Sequence, residues 1–182
     1  MKTESQLKIL NLGCGLHKID GAINIDVDPV MEPDQVWDLK NFPYPFENDS
    51  VDVVYMLHII EHLQEKSHVP LLNEISRILR IPGMLVISYP EFTSCAMNYI
   101  DNKYGQRTFW KDTLYGRQTS ETDYHISLMD TRYFSQTLRG AGLEIKEQKQ
   151  ETGQDYNTIL FCEKVPVRNT REDILRQEVC GE

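Results

Sequence analysis

The sequence predicts an α/β fold in which a mostly parallel sheet of seven strands is covered by helices on both faces. Three observations support this. Seven short apolar runs are typical of buried strands, an apolar pattern with helical spacing lies between two of them, and 182 residues with 40% apolar side chains can bury a sizeable core. The predicted strands cover residues 7–12, 22–26, 35–38, 51–55, 84–89, 143–146 and 157–163.

The first predicted strand ends in a glycine turn, NLGCG, at residues 11–15. Ligands of open α/β sheets bind at the C-terminal ends of the strands, and glycines there let the backbone approach a ligand closely. Asp26 ends the second strand, where its carboxylate can accept hydrogen bonds from both hydroxyls of a ribose. The turn and the acid together predict a nucleoside cofactor.

The length of the turn distinguishes two kinds of cofactor. The dinucleotide fingerprint GxGxxG has its third glycine where this chain has Lys18. The nine residues from Gly13 to Gly21 are too few for a crossover with a full helix, and a shortened helix binds a pyrophosphate poorly. S-adenosylmethionine has no pyrophosphate and is therefore favoured over NAD. An NAD-dependent oxidoreductase is the weaker alternative.

Two helices are predicted from apolar spacing and capping residues. The first lies between the fourth and fifth strands, with an apolar face formed by Leu71, Leu72, Ile75, Ile78 and Leu79. Pro82-Gly83 is expected to end it, because proline cannot continue a helix and glycine accepts the turn that follows. The second helix is expected to begin after Asp130, a residue type that caps helix N-termini, and to close at Gly140 and Gly142.

Two segments lie outside this alternation of strands and helices. Residues 91–128 are rich in aromatic side chains without a clean period, and most of these side chains are expected to pack together rather than bind a sugar. Because this insert follows the fifth strand on the ligand-binding edge, it is expected to cap a substrate site. Residues 164–182 form a charged tail in which Thr170 is a candidate cap for a helix ending near Val179. The tail is a candidate contact for a second copy or a partner protein.

Composition narrows the function classes. The formal charge of −9 disfavours a large basic face for nucleic acid. The four cysteines stand far apart without metal-binding spacing and are expected to be reduced. No stretch approaches the roughly 20 apolar residues of a membrane span, and the first ten residues lack the apolar region of a secretory signal. A cytoplasmic protein is expected.

Five stretches resemble the class I, Rossmann-like S-adenosylmethionine-dependent methyltransferases, and in particular their type 11 subgroup. They are ILNLGCG (9–15), INIDVDP (23–29), DLKNFPYPFENDSVDVVYMLHIIEHL (38–63), EISRILRIPGMLVISYP (74–90) and LYGRQ…DYHISLMDTRYFSQTLRGAGLEI (114–145). The resemblance implies a three-layer fold whose mostly parallel seven-stranded sheet has an antiparallel last strand, in a domain over residues 1–163. It implies O- or N-methylation of a small-molecule or glycan-type acceptor by in-line displacement.

The resemblance also implies a set of cofactor-binding residues: Asn11, Gly13, Cys14, Gly15, Asp26, Asp38, Leu39 and Met56. By this resemblance, Gly13 and Gly15 lie against the methionine part of S-adenosylmethionine, and Asp26 binds its ribose. Asp38 and the backbone N–H of Leu39 meet the adenine edge, while Met56 supplies a carbonyl or side chain near the sulfonium. The chain departs from the family at two positions, since Asn11 replaces a frequent acid and His17 replaces a third glycine.

The candidate catalytic residues are His125, His58 and Glu61. By i, i+3, i+4 spacing, His58, Glu61 and His62 share one helical face, either as a polar cluster at the mouth of the site or as metal ligands. No third ligand is evident, so no metal is predicted, and His62 is expected to brace the helix. His125 lies in the insert, where it is either a base for the acceptor or a structural hydrogen-bonding group. A cofactor-binding but inactive partner module is the alternative for the whole chain.

Overall fold

The computed structural model describes residues 7–105, 107–120 and 122–166. Its strands are β1 (Ile9–Leu12), β2 (Ile23–Asp26), β3 (Gln35–Val36), β4 (Val51–Leu57), β5 (Leu79–Pro90), β6 (Leu143–Glu151) and β7 (Gln154–Lys164). They form one sheet in the order β3-β2-β1-β4-β5-β7-β6. β1 to β5 pair in parallel, whereas β7 is antiparallel to both β5 and β6. The predicted sheet, with its antiparallel last strand, is confirmed.

The described residues form four α-helices beside the sheet: α1 (Glu65–Ile78), α2 (Phe92–Ile100), α3 (Arg107–Tyr115) and α4 (Thr131–Gly140). α4 begins as predicted, since the Asp130 side chain accepts a hydrogen bond of 2.9 Å from the Arg132 N–H. The predicted end of α1 at Pro82-Gly83 is wrong. The helix stops at Ile78, because Leu79 is already extended and pairs with Val51 at the start of β5.

The crossovers near the glycine turn are short. No α-helix separates β1 from β2, and between β2 and β3 there is only a 3₁₀ turn at Pro29–Met31. This agrees with the predicted shortening after Gly13. The first two crossovers therefore leave the C-terminal ends of these strands accessible to a ligand.

The insert after β5 is more regular than the sequence suggests, because α2 and α3 occupy much of residues 91–128. Its aromatic side chains pack only in part as predicted, since Tyr99, Tyr115 and Tyr124 are exposed. A second, smaller core consists of Cys95, Trp110 and Tyr156, with Phe109 and Leu114 against it. The rings of Tyr104 and Phe109 stack at a centroid distance of 5.0 Å. These contacts fix the insert to the end of the sheet.

The main core lies between the sheet and helices α1 and α4. Its fully buried members include Leu10, Val54, Leu72, Ile75, Ile78, Ile87, Leu138 and Leu160. The predicted apolar face of α1 is confirmed except at Leu79, which is buried but belongs to β5. The three described cysteines, Cys14, Cys95 and Cys162, are free and buried. None of the helices in the described part of the chain is long and apolar enough to cross a bilayer. The helix predicted from Thr170 lies in residues 167–182, outside the described part.

Candidate active site

The glycine turn after β1 is tied to the end of β2. Gly13 and Gly15 have φ angles of 67° and 48°, in the left-handed region that glycine adopts most readily. The Gly15 N–H donates to Asp26 Oδ2 at 2.8 Å, and the Cys14 N–H donates to the Ile25 carbonyl at 3.0 Å. The turn and the predicted ribose acid therefore form one structural unit.

Asp26 is partly exposed and keeps capacity for a ligand. Its Oδ2 accepts from Gly15, and its Oδ1 accepts the Asp28 N–H at 2.9 Å. Each carboxylate oxygen can accept two hydrogen bonds, so each retains one acceptor position. The predicted contact with two ribose hydroxyls requires two such positions.

The Asn11 side chain is buried and belongs to a polar network beneath the turn. Its Nδ2 donates to the His17 carbonyl and to Asn24 Oδ1, both at 2.9 Å. Asn24 in turn donates its backbone N–H and its Nδ2 to Asp34 Oδ2, and these two bonds lower the pKa of Asp34. Both amide hydrogens of Asn11 are thus used within the protein, and the network shapes the turn. A role for Asn24 in this network was not predicted from the sequence, although Asn24 lies in the second predicted strand.

Three other predicted cofactor residues have buried side chains: Cys14, Leu39 and Met56. Burial, followed by the nearby Asp26 charge, raises the pKa of the Cys14 thiol. Met56 belongs to the main core and lies inside β4, where it pairs with Ile87. Their side chains thus contribute to the core rather than to an open surface.

The predicted adenine end of the site is partly open. The Asp38 side chain is about a third exposed, and its Oδ1 accepts the Lys40 N–H at 2.9 Å. Next to it, a groove of about 290 Å³ runs between residues 39–42 and the first half of α1, with Leu39 and Leu63 in its walls. The predicted adenine contacts therefore stand beside an apolar concavity.

Ile59 connects the glycine turn to the segment after β4. Its side chain packs directly on Gly13, with Cδ1 2.2 Å from the position that a Cβ on Gly13 would take. The residue immediately before it, His58, has a φ angle of 55°. Ile59 was not anticipated, because an apolar residue in HIIEHL gives no sign of contact with residues 11–15.

His58 lies between two carboxylates. Its Nδ1 is 3.2 Å from Glu61 Oε1, and its Nε2 is 3.3 Å from Glu151 Oε2. Burial lowers the pKa of His58, but the hydrogen bonds and charges of the two acids outweigh it and raise the pKa overall. The prediction that His58, Glu61 and His62 share one helical face is wrong, because His58 precedes the 3₁₀ turn Ile60–His62. Glu151 comes from β6, too far along the chain for a local sequence signal.

His125 reaches the same place from the insert. The Ile126 and Ser127 N–H groups donate to the Glu61 carbonyl at 2.8 and 3.1 Å. This brings the His125 ring edge-on to the His62 ring, with centroids 4.7 Å apart. Burial lowers the pKa of His125 despite the opposing charge of Glu61. The three predicted catalytic residues, His58, Glu61 and His125, therefore meet in one cluster at the C-terminal ends of β4 and β5.

Residues 24–87 match the family model described as "Methyltransferase domain". No curated protein matches the sequence. Among solved structures, a S-adenosylmethionine-dependent methyltransferase from Methanosarcina mazei superposes with a TM-score of 0.64 at 15% identity, over 88% of this chain and 94% of that one. A Haloferax volcanii methyltransferase in complex with the activator Trm112 gives 0.58 at 18% identity, over 91% and 86%.

A third similar structure is that of 1,6-didemethyltoxoflavin-N1-methyltransferase from Burkholderia thailandensis, with bound 1,6-didemethyltoxoflavin and S-adenosylhomocysteine. It gives a TM-score of 0.57 at 12% identity, over 87% of this chain and 71% of that one. At these identities the likeness is one of fold, and the matched domain covers β2 to β5. Residues 24–87 therefore match a methyltransferase domain, and the chain as a whole shares the fold of S-adenosylmethionine-dependent methyltransferases.

Proposed function

We propose that this protein transfers the methyl group of S-adenosylmethionine to an oxygen or nitrogen of a small-molecule or glycan-type acceptor. One observation supports this most strongly. Ile59 packs on Gly13 of the cofactor turn and directly follows His58 of the polar cluster. The predicted cofactor residues and the predicted catalytic residues are therefore neighbours on one edge of the sheet, as in-line transfer between two bound molecules requires.

In this proposal the cofactor lies along the C-terminal ends of β1 to β4. The open side of Gly15, where no atom lies within 4 Å of the position that a Cβ would take, faces the methionine part together with Gly13. Asp26 accepts from the ribose hydroxyls through its two remaining acceptor positions. Asp38 and the Leu39 N–H meet the adenine, and the Met56 carbonyl lies near the sulfonium. Asn11 and Cys14 act by holding the turn in shape.

The acceptor enters between the insert and the end of β5, next to the polar cluster. Both ring nitrogens of His58 face carboxylate oxygens, so both carry hydrogen, and His58 offers no lone pair. His125 differs, because its Nδ1 faces the Thr113 carbonyl at 2.9 Å and its Nε2 is left as an acceptor. We therefore assign contact with the acceptor to His125, while His58 and Glu61 supply charge beside it.

Two of the similar proteins support further parts of the proposal. The Burkholderia thailandensis enzyme holds a small heteroaromatic molecule together with S-adenosylhomocysteine, which supports a small-molecule acceptor. The Haloferax volcanii methyltransferase is bound to a protein activator, which supports a partner protein for this chain, engaged through residues 164–182. A homodimer through the same tail, and a cytoplasmic location, remain predictions.

The experiment that tests the proposal is calorimetric titration of the full chain with S-adenosylmethionine, S-adenosylhomocysteine and NAD. We expect binding of the first two and little binding of NAD. Binding of NAD alone would contradict the assignment of the cofactor. Transfer of a labelled methyl group to fractions of small molecules, sugars or proteins then identifies the acceptor, and a chain that binds the donor but labels no fraction is the inactive partner module.

A further inference from the structure

Glu61 and His62 are neighbouring candidate metal ligands for which the sequence shows no third partner. The fold supplies that third ligand, His125. Hydrogen bonds from Ile126 and Ser127 to the Glu61 carbonyl hold the insert against the 3₁₀ turn. The Ser127 hydroxyl also donates to the Leu63 carbonyl. As a result, Glu61, His62 and His125 each offer a ligand atom within 4.8 Å of the other two.

The two imidazoles are oriented so that each has a free nitrogen lone pair. His62 Nδ1 lies 3.0 Å from the Tyr124 carbonyl, and His125 Nδ1 lies 2.9 Å from the Thr113 carbonyl. A carbonyl oxygen only accepts, so both Nδ1 atoms carry hydrogen and both Nε2 atoms are unprotonated in the neutral rings. Metal-binding histidines are typically fixed in this way, with the second nitrogen donating to a carbonyl or carboxylate.

Glu61 has an oxygen without a partner. The residue is 1% exposed, and its Oε1 contacts His58, but its Oε2 is buried and has no hydrogen-bond partner among the described residues. Within the described part of the chain, neither His62 nor His125 forms a hydrogen bond or ion pair with this carboxylate. An unpaired buried carboxylate oxygen is costly, and a cation is one of the few groups that can satisfy it.

We propose that Glu61, His62 and His125 bind a divalent metal ion through Glu61 Oε2 and the two Nε2 atoms. Two imidazoles and one carboxylate are the ligands that catalytic zinc sites use, with a fourth position open for water or substrate. Zinc at about 2.0–2.2 Å from each ligand separates them by about 3.4 Å in a tetrahedron. The ligand atoms lie within 4.8 Å of one another, so they close by up to about 1.4 Å on binding, through rotation about the side-chain χ angles.

The space beside Glu61 and His125 fits a small occupant. A cavity of about 10 Å³ borders Glu61 and His125, with Phe92 and Met129 among its walls. Space of this order accommodates roughly one water-sized group. The same cavity adjoins the end of β5, where the proposed acceptor enters. The open position of the metal therefore faces the acceptor.

The role of the metal rests on the proposed function, whereas metal binding itself does not. A bound divalent ion lowers the pKa of a coordinated hydroxyl and fixes its orientation. This favours a hydroxyl acceptor that binds the metal directly. His125 then acts as a ligand, and the coordinated hydroxyl of the acceptor ionises by releasing its proton to water, without a dedicated side-chain base.

The test is a metal titration of the full chain after treatment with a chelator, followed by calorimetry with Zn²⁺ and visible spectroscopy with Co²⁺. We expect one equivalent of either ion and a Co²⁺ spectrum of nitrogen and oxygen ligands. His62→Ala, His125→Ala and Glu61→Gln should each weaken Zn²⁺ binding. Loss of a residue that only hydrogen-bonds to a metal ligand weakens binding by about 10–100-fold, and loss of a ligand itself should cost more. His17→Ala is the matched control, since His17 is exposed and distant from the cluster in sequence.

The outcomes separate this inference from the proposed function. Absence of Zn²⁺ binding in the wild-type protein, or wild-type affinity in all three variants, overturns the metal site. A strong sulfur-to-metal charge-transfer band overturns it as well, because it assigns the ion to cysteine. Binding of S-adenosylhomocysteine by the same preparations should be unchanged, and its loss in the wild type contradicts the proposed function instead. If a variant fails to fold, the wild-type Co²⁺ spectrum still decides the ligand type.

Discussion

Ile59 occupies the space that a side chain at Gly13 would need. Its Cδ1 and Cγ1 atoms lie 2.2 and 2.6 Å from the ideal Cβ position, distances that no real Cβ tolerates. Gly13 also has a φ angle of 67°. A side chain at Gly13 would therefore displace the end of the Ile59 side chain, and the left-handed backbone favours glycine independently.

We expect Gly13→Ala to destabilise the protein by about 1–3 kcal/mol through overpacking, in addition to about 1–2 kcal/mol for the left-handed backbone. Binding of S-adenosylhomocysteine should weaken with it. Urea unfolding and calorimetry measure the two effects. Gly15→Ala is the control for stability, since Gly15 has a φ of 48° but open space around its Cβ position, and its free energy of unfolding should show only the backbone effect. Equal losses of stability in both variants would show that Ile59 is irrelevant.

The double variant Gly13→Ala/Ile59→Ala isolates the contact. Truncating Ile59 removes the atoms that clash, so the double variant should be more stable than the sum of the two single changes predicts. The difference from additivity measures the interaction. An additive result would mean that the turn relaxes without help from Ile59.

The glycine turn and Asp26 could be predicted from the sequence because both signals are local. A strand, a glycine pair and an acid at the end of the next strand stand within residues 9–26. Parallel strands then place their C-terminal ends at one edge, so the sites meet without further information. The end of α1 could not be predicted from Pro82-Gly83, because pairing of Leu79 with Val51 across the sheet ends the helix first.

The cluster around Glu61 could only be predicted in part. The spacing of HIIEH shows three polar residues close together, but Glu151 and His125 reach them through contacts between distant parts of the chain. Nothing near position 151 or 125 indicates that partner. The buried, unpaired Oε2 of Glu61 depends on all of these placements at once and has no signal in the sequence.

The ribose assignment predicts a specific effect of Asp26→Asn. The substitution keeps the shape and one acceptor oxygen but removes the charge that strengthens hydrogen bonds from hydroxyls. Hydrogen bonds to charged groups contribute about 1.5–3 kcal/mol, so affinity for S-adenosylhomocysteine should fall by roughly 10–100-fold. Asp28→Asn is the control, since its side chain accepts only from the Val30 N–H in an exposed turn. If Asp28→Asn weakens binding and Asp26→Asn does not, the ribose binds to Asp28.

The burial of His68 makes the free energy of unfolding depend on pH. It is buried in α1, and its Nε2 donates to the Ile60 and Leu63 carbonyls. Burial lowers the pKa of His68 in the folded protein despite these bonds. The unfolded chain therefore binds the proton first, so stability is full above about pH 6.5 and falls as the pH drops through this value.

Urea unfolding at pH 7.5 and pH 5.5 measures this effect. The wild type should lose more stability between the two values than His68→Gln, in which the titrating group is absent. His17→Gln should behave like the wild type, because His17 is exposed. A wild-type loss that His68→Gln reproduces in full would assign the pH dependence to other groups.

The position of His125 depends on Gly116. Gly116 has a φ of 75°, and a Cβ there would lie 1.8 Å from the Asp123 carbonyl oxygen and 3.0 Å from the His125 nitrogen. The neighbouring His125 N–H donates to the Tyr115 carbonyl at 3.1 Å. Gly116→Ala must therefore push residues 123–125 away from α3 and move the His125 ring from the Glu61 cluster.

We expect Gly116→Ala to lower methyl transfer at least tenfold while affinity for S-adenosylhomocysteine changes by less than about threefold, because among the described residues no hydrogen bond joins residues 123–125 to the glycine turn or to Asp26. Gly105→Ala is the matched control: it has a similar φ of 59° but open space around its Cβ position, so it carries the backbone cost without the clash. Its transfer rate should stay near that of the wild type. Methyl-transfer assays and calorimetry with S-adenosylhomocysteine on the wild type, Gly116→Ala and Gly105→Ala measure the two effects. Equal rates for both variants would show that the insert does not form the acceptor side of the site, and a parallel fall in cofactor affinity would show that it supports the cofactor instead.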